Sequence, residues 1–170
     1  MKKRYLIFSG IVLSGIILTS WTYLKYDTDK ISSTFEERYS QVVLDDKNDI
    51  LGAYLNKNEQ WHLKSTDKIP EKLKEAVLNY EDKNFYSHRG VDAKAIIRAV
   101  RDNIFQRRRT GGSTVTMQVA KVLEPKQRSY FNKYKEIVHA MKIERKFSKD
   151  EILSMYLNNA PYGGNIVGYK

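Results

Sequence analysis

The longest apolar run in the chain lies at its start. Residues 5–24, YLIFSGIVLSGIILTSWTYL, carry no charge. A helix of about twenty such residues is roughly 30 Å long, the thickness of a bilayer's hydrocarbon core. Met1-Lys2-Lys3-Arg4 precedes the run, and Trp21, Tyr23 and Tyr26 stand at its far end. Basic flanks stay in the cytoplasm and aromatic rings settle at the interface. The pattern therefore predicts an uncleaved single-pass anchor with the rest of the chain exported. A cleavable signal peptide is the rival reading, but the run is long for one and no small-residue cleavage site follows it. A buried soluble helix fits the length and flanks less well.

Beyond the anchor the periods shorten. Residues 25–40 are polar with mixed charge and read as a stalk. VVLDDKNDILGAYLNKNEQWHL, residues 42–63, alternates short β-favouring runs with Asp/Asn/Lys turns and predicts a small hairpin or meander. From Ile69 the period is helical. Ile69, Leu73, Ala76, Val77 and Tyr80 share one stripe, with Pro70 near the start, and this helix runs straight into Glu81. Asp92 is a good N-cap for a second helix predicted to bury Ile96, Ile97, Val100 and Ile104. Gly111-Gly112 breaks the chain before a third helix through Val115, Val119 and Val122, ending at Pro125. A fourth covers roughly 130–145 with Tyr134, Ile137, Val138 and Met141 inward. Ser148 and Glu151 form a capping box for a fifth, which buries Ile152, Leu153, Tyr156 and Leu157. The fold class is mainly α: cytoplasmic tail 1–4, transmembrane anchor 5–24, stalk and β-hairpin segment 25–64, helical domain 65–170.

Composition narrows the partners. The 170 residues include 30 Lys+Arg and 20 Asp+Glu, a net charge of +10, and no cysteine. Disulfides and thiolate metal sites are thereby excluded. A basic domain beside a membrane meets anionic head groups, at about 1 kcal/mol per nearby Lys or Arg. Nucleic acid is the usual alternative partner for such charge; it is not expected for an exported, anchored chain.

Three stretches could carry chemistry. In NYEDKNFYSHRGVD, residues 79–92, Glu81 stands where a helix gives way to a loop. The negative end of the helix dipole favours the protonated form of a carboxyl there, which suits a general acid or base. A surface Glu at a frayed end is the bland alternative. His88 is either a metal ligand or a hydrogen-bonding structural residue, and Phe85 reads as a core plug. GGSTVTMQ, residues 111–118, opens a helix with Ser113, Thr114 and Thr116. Exposed N–H groups there attract phosphate, although no Walker loop is present and an ordinary N-cap is the simpler reading. Arg107-Arg108-Arg109 is a solvated or lipid-facing run. Lys133 and Glu136 share a helix face at the spacing of an ordinary salt bridge.

Taken together these stretches resemble a known family. EDKNFYSHRGVD looks like the E-D-x-x-F-x-x-H-x-G signature of the peptidoglycan glycosyltransferases, glycosyltransferase family 51. GGSTVTMQ is similar to that family's G-G-S-T-[IL]-T-Q-Q, and KYKEIVHAMKIER to its R-K-x-x-E motif. FSKDEILSMYLN and APYGGNIVG resemble its fourth and fifth motifs. Five motifs in order over residues 81–168 make the resemblance specific. Met117-Gln118, the stretch APYGG at 160–164 and Trp61 further resemble the class A penicillin-binding proteins of the 1C type.

The resemblance implies a lysozyme-like, mainly α fold that polymerises lipid II into β-1,4 glycan, inverting the donor carbon and releasing undecaprenyl pyrophosphate. Glu81 matches the general base that deprotonates the acceptor's 4-hydroxyl. Glu136 matches the second Glu, which organises the pyrophosphate. No cofactor is required; a divalent cation, magnesium or manganese, serves at Glu136 in some members. Ser113, Thr114, Gln118 and Lys133 match positions near the phosphates or sugar chain, with Arg145 and Lys149 as further candidates. Asp82, Phe85 and His88 belong to the first motif's substrate-side loop. Asn132 stands where the family has Arg, which leaves Lys135 or Arg128 to supply that cation. The implied partners are lipid II, the growing glycan, membrane lipids and a C-terminal transpeptidase domain. The implied location is the bacterial cytoplasmic membrane, with the C-terminal side facing the periplasm or exterior. The lipid-inserted surface is expected near residues 98–110. The domain reads as C-terminally truncated at Lys170, so the isolated piece is expected to fold poorly and show little activity. Two alternatives stand beside this reading: a membrane-tethered module that binds lipid II or anionic lipid without turnover, and a lysozyme-like hydrolase with Glu81 as acid.

Overall fold

A computed structural model of the chain describes residues 2–65, 68–105 and 111–169, with the side chains of residues 2–13, Ser32 and Ile104 outside that description. In chain order the elements are α1 (Lys2–Lys25), α2 (Ile31–Glu36), β1 (Gln41–Leu44), β2 (Ile50–Tyr54), β3 (Trp61–His62), α3 (Glu71–Glu81), α4 (Ala93–Phe105), α5 (Val115–Leu123), α6 (Tyr130–Lys146), α7 (Lys149–Asn159), β4 (Pro161–Gly163) and β5 (Ile166–Val167). A single 3₁₀ turn, Phe85–Ser87, follows α3. The protein is mainly α. The first half of the apolar run falls on side chains outside the description. Among the described residues no helix is long and apolar enough to cross a membrane.

Local chemistry sets the helix starts. Pro70 precedes the first turn of α3. The Thr114 hydroxyl accepts from Met117 N at 3.1 Å, and Ser129 caps α6 by accepting from Asn132 N at 3.0 Å. Ser148 and Glu151 form the complete reciprocal box at α7. Each such cap contributes about 1 kcal/mol.

The core forms around α5, whose Val115, Met117, Val119 and Ala120 are fully enclosed. Ile143 of α6 and Ile152, Leu153 and Leu157 of α7 close over them, with Phe85 plugging the gap from the 3₁₀ turn. Gly90 and Gly168 are sterically required, Gly168 at φ +85° with a Cβ position 2.9 Å from the Asn158 carbonyl oxygen. Gly90 has φ +88°, and a Cβ there would lie 2.8 Å from the Ala140 carbonyl oxygen. The chain can pass α6 so closely only without a side chain.

Three expectations are corrected. The stretch read as a stalk is packed: Tyr26, Ile31 and Phe35 join the core cluster. Ile31 and Phe35 lie four apart on the short α2, which gives it one apolar face. Arg38 then donates to Val122 O at 2.7 Å and Leu123 O at 3.1 Å, covering the carbonyl end of α5. Of the two forms expected for 42–63, the hairpin is the one that forms. β1 and β2 make an antiparallel hairpin with Gln41 opposite Tyr54. β3 leaves it to run parallel to β5, Trp61 opposite Ile166, with β4 on the far edge.

The inner face of α4 was also misread. Ile97 is 68% and Val100 53% exposed, whereas Ala99 and Asp102 are buried. A Cβ on Gly112 would meet Ala99 Cβ and Ile96 Cα at 3.1 Å, so the backbone before α5 presses on α4 where only a small residue fits. That contact turns the large side chains outward. On α6, Val138 is buried as expected but Met141 is exposed, and His139, Ala140 and Ile143 share the inner side. Gly90 seats on Ala140, and the Tyr26 ring stacks on His139 at 3.7 Å.

Candidate active site

Glu81 is the last residue of α3, as the periodicity predicts. Its Oε2 accepts from Gln118 Nε2 at 2.6 Å. Gln118 is held one turn inside α5 by a backbone bond to Thr114 O at 3.0 Å. Tyr156 of α7 is close enough to feel Glu81: burial first, then that carboxylate's charge, push its phenol up to about 12. It remains a protonated donor at neutral pH.

The next carboxylate has a different part. Asp82 is buried and accepts from His88 Nε2 at 2.9 Å and from Val115 N at 3.0 Å. It thereby ties the loop after α3 to the first turn of α5. His88 and Phe85 are buried alongside, and Lys149 Nζ lies 4.4 Å over the Phe85 ring. These three brace the loop that carries Glu81. Thr114 is likewise occupied, donating to Gly90 O at 2.6 Å while it caps α5.

A second polar cluster forms at the other end of the 111–118 motif. Lys133 Nζ donates to Ser113 Oγ at 2.6 Å and to Glu136 Oε2 at 2.8 Å. The i,i+3 pair is thus not a plain surface bridge, because Ser113 draws it onto the α5 approach. Asn132 donates its amide back to Gln127 O at 2.8 Å. It lines a small recess with Lys126, Lys135, Glu124, Glu136 and His139. Two cations therefore stand beside the place where Asn132 replaces an Arg, and Lys126 was not foreseen.

Arg145 and Lys149 do not join this cluster. Arg145 is exposed and reaches Tyr23 Oη at 3.1 Å. Lys149 pairs with Glu144 Oε1 at 2.6 Å, which also accepts from Thr116 Oγ1 at 2.6 Å. That carboxylate is nearly enclosed, and an enclosed charge needs such partners. Tyr156, Glu144 and Thr116 were missed as site neighbours. Helical period marks Tyr156 only as core, Thr116 reads only as part of the helix opening at 111–118, and nothing local marks Glu144. Among the described residues no group of three His, Asp or Glu side chains is placed to hold a metal.

The arrangement is a carboxylate held by an amide on one side of the α5 entry, and a Lys, a Ser and a second carboxylate on the other. The family model for transglycosylases matches residues 47–170. The chain belongs to the transglycosylase family. It is 37% identical over 133 residues to penicillin-binding protein 1F of Bacillus subtilis, covering 77% of this chain and 18% of that protein. It is 43% identical over 102 residues to a monofunctional glycosyltransferase of Staphylococcus aureus, covering 59% of this chain and 38% of that one. The chain thus spans well under half the length of these relatives.

Proposed function

We propose that the chain carries the catalytic centre of a peptidoglycan glycosyltransferase that extends β-1,4 glycan from lipid II at the outer face of the cytoplasmic membrane. The observation that carries this reading is the pairing of Glu81 with Gln118 at one end of the 111–118 motif and of Lys133 with Ser113 and Glu136 at the other. Glu81 accepts the proton of the acceptor's 4-hydroxyl, and Gln118 fixes the carboxylate's direction. The acceptor oxygen bonds to the donor's C1 as the C1–O bond to the diphosphate breaks, so the anomeric configuration inverts. Lys133 and Ser113, with Lys126 and Lys135 near by, meet the charge that grows on the departing diphosphate. Glu136 orients Lys133.

The uncharged run at 5–24 is the proposed membrane anchor. The similarity to penicillin-binding protein 1F supports a transpeptidase domain in the full-length protein. The 1C subtype rests on Trp61, Met117-Gln118 and the turn at 160–164.

The test supplies labelled lipid II to the full-length gene product. A ladder of glycan polymers is expected, and Glu81→Gln should cut its initial rate by about 10²–10⁴, the range for general-base loss. Binding without polymer would favour the non-catalytic module. Shortening of preformed glycan would favour the hydrolase.

A further inference from the structure

A second cavity, about 240 Å³, opens where α1 ends, between α2 and the carbonyl end of α5. Its polar lining is Lys25, Tyr26, Asp27, Lys30, Thr34 and Glu124. Glu124 also borders the recess beside Glu136; the other five take no part in the Glu81 or Lys133 clusters. The four charged members are two cations and two carboxylates. The Lys30–Asp27 contact is loose, 3.8 Å between largely solvated side chains, and leaves Lys30 free to turn to a ligand; Asp27 keeps Oδ2 for one, its Oδ1 accepting from Asp29 N at 2.9 Å. Tyr26 is only 7% exposed, and its hydroxyl is buried with no hydrogen-bond partner among the described residues. A buried donor of that kind is costly until a polar atom reaches it.

We propose that this cavity seats the phosphoethanolamine head group of a membrane lipid, with its phosphate toward Lys25 and Lys30 and its ammonium toward Asp27 and Glu124. A simple anion would meet the two carboxylates as well as the lysines, and a simple cation the reverse. A head group carrying both charges satisfies both pairs. The volume equals about eight water molecules at ~30 Å³ each, room for a group of about that many heavy atoms. Burial pushes the Tyr26 phenol up, so it stays a donor. Burial also acts to raise Glu124, but the Lys126 hydrogen bond and surrounding cations outweigh it and keep the carboxylate ionised. The location rests on the anchor reading. Lys25 follows the apolar run directly, beside exposed Trp21 and Leu24, at the depth of lipid head groups.

The experiment titrates the full-length gene product in detergent with dihexanoyl phosphatidylethanolamine, dihexanoyl phosphatidylglycerol and free phosphoethanolamine, read by calorimetry. Saturable binding of the ethanolamine lipid is expected, weakened about tenfold or more by Lys25→Glu with Lys30→Glu, as for lost charge-assisted hydrogen bonds. Tyr26→Phe, which removes only the hydroxyl, should weaken it several-fold with an unchanged circular dichroism spectrum. Glu124→Gln should narrow the preference over the glycerol lipid. Equal binding of the two lipids, or variants that bind like the wild type, would overturn the proposal. Free phosphoethanolamine binding as tightly as the lipid would overturn its lipid assignment. Protease protection of the chain in sealed vesicles tests the anchor separately, so the two failures are distinguishable.

Discussion

Glu81 and Asp82 are sequence neighbours with opposite surroundings. Glu81 gives one carboxylate oxygen to Gln118, whereas Asp82 is enclosed by His88 and Val115 N. Asp82→Asn should therefore lower stability by about 1.5–3 kcal/mol, the cost of losing hydrogen bonds to a charged group. Glu81→Gln should leave the thermal transition within about 0.5 kcal/mol, as for a substitution outside the core. Paired thermal melts check both. Gln118→Leu should lower kcat by about tenfold or more while KM changes less, because it releases the base without removing it. Steady-state kinetics separates the two. Glu81, Lys133 and Glu136 stand out in the sequence because each sits in a motif, and their contacts with Gln118 and Ser113 join motifs distant in the chain. The part of Tyr156 was not, because it depends on α7 packing beside α3, a contact no local pattern encodes.

At the level of elements, α5 owes its position to groups from every side. Arg38 covers its carbonyl end, so Arg38→Ala should cost about 1–3 kcal/mol in denaturant unfolding. Gly90→Ala should cost about as much or more, since it combines strain at φ +88° with a clash on Ala140 O. A variant as stable as the wild type at either position would refute that packing account. Helix existence and capping were readable because caps and the 3.6 period are local signals, as Ser148 with Glu151 shows. The inner faces of α4 and α6 were not. They were set by Gly112 against Ala99 and by Tyr26 against His139, both made by chain from elsewhere. Trp61-His62 reads as β, but its pairing does not, since its partner β5 lies about a hundred residues away.

For the whole molecule, buried imidazoles set the pH response. Burial is the leading cause holding His62 and His139 below the usual 6.5, so the folded state favours their neutral forms. The unfolded chain then binds more protons, and stability is full above about 6.5 and falls as pH drops through the folded values. Asp92, held down by its hydrogen bonds to Asn84 and Ala95 N, and Glu151, held down by Ser148, add a second loss at more acid pH. Melting temperature should thus decline as pH falls below about 6.5, and His139→Gln should flatten the first part of that decline.

The central claim is that Glu81 removes the acceptor's proton from within a folded, substrate-binding centre. It is tested most directly by the initial rate of undecaprenyl pyrophosphate release from lipid II, with wild type and Glu81→Gln compared at equal folded fraction. The account predicts a fall of about 10²–10⁴ with lipid II binding retained. Equal rates from the two proteins would contradict it.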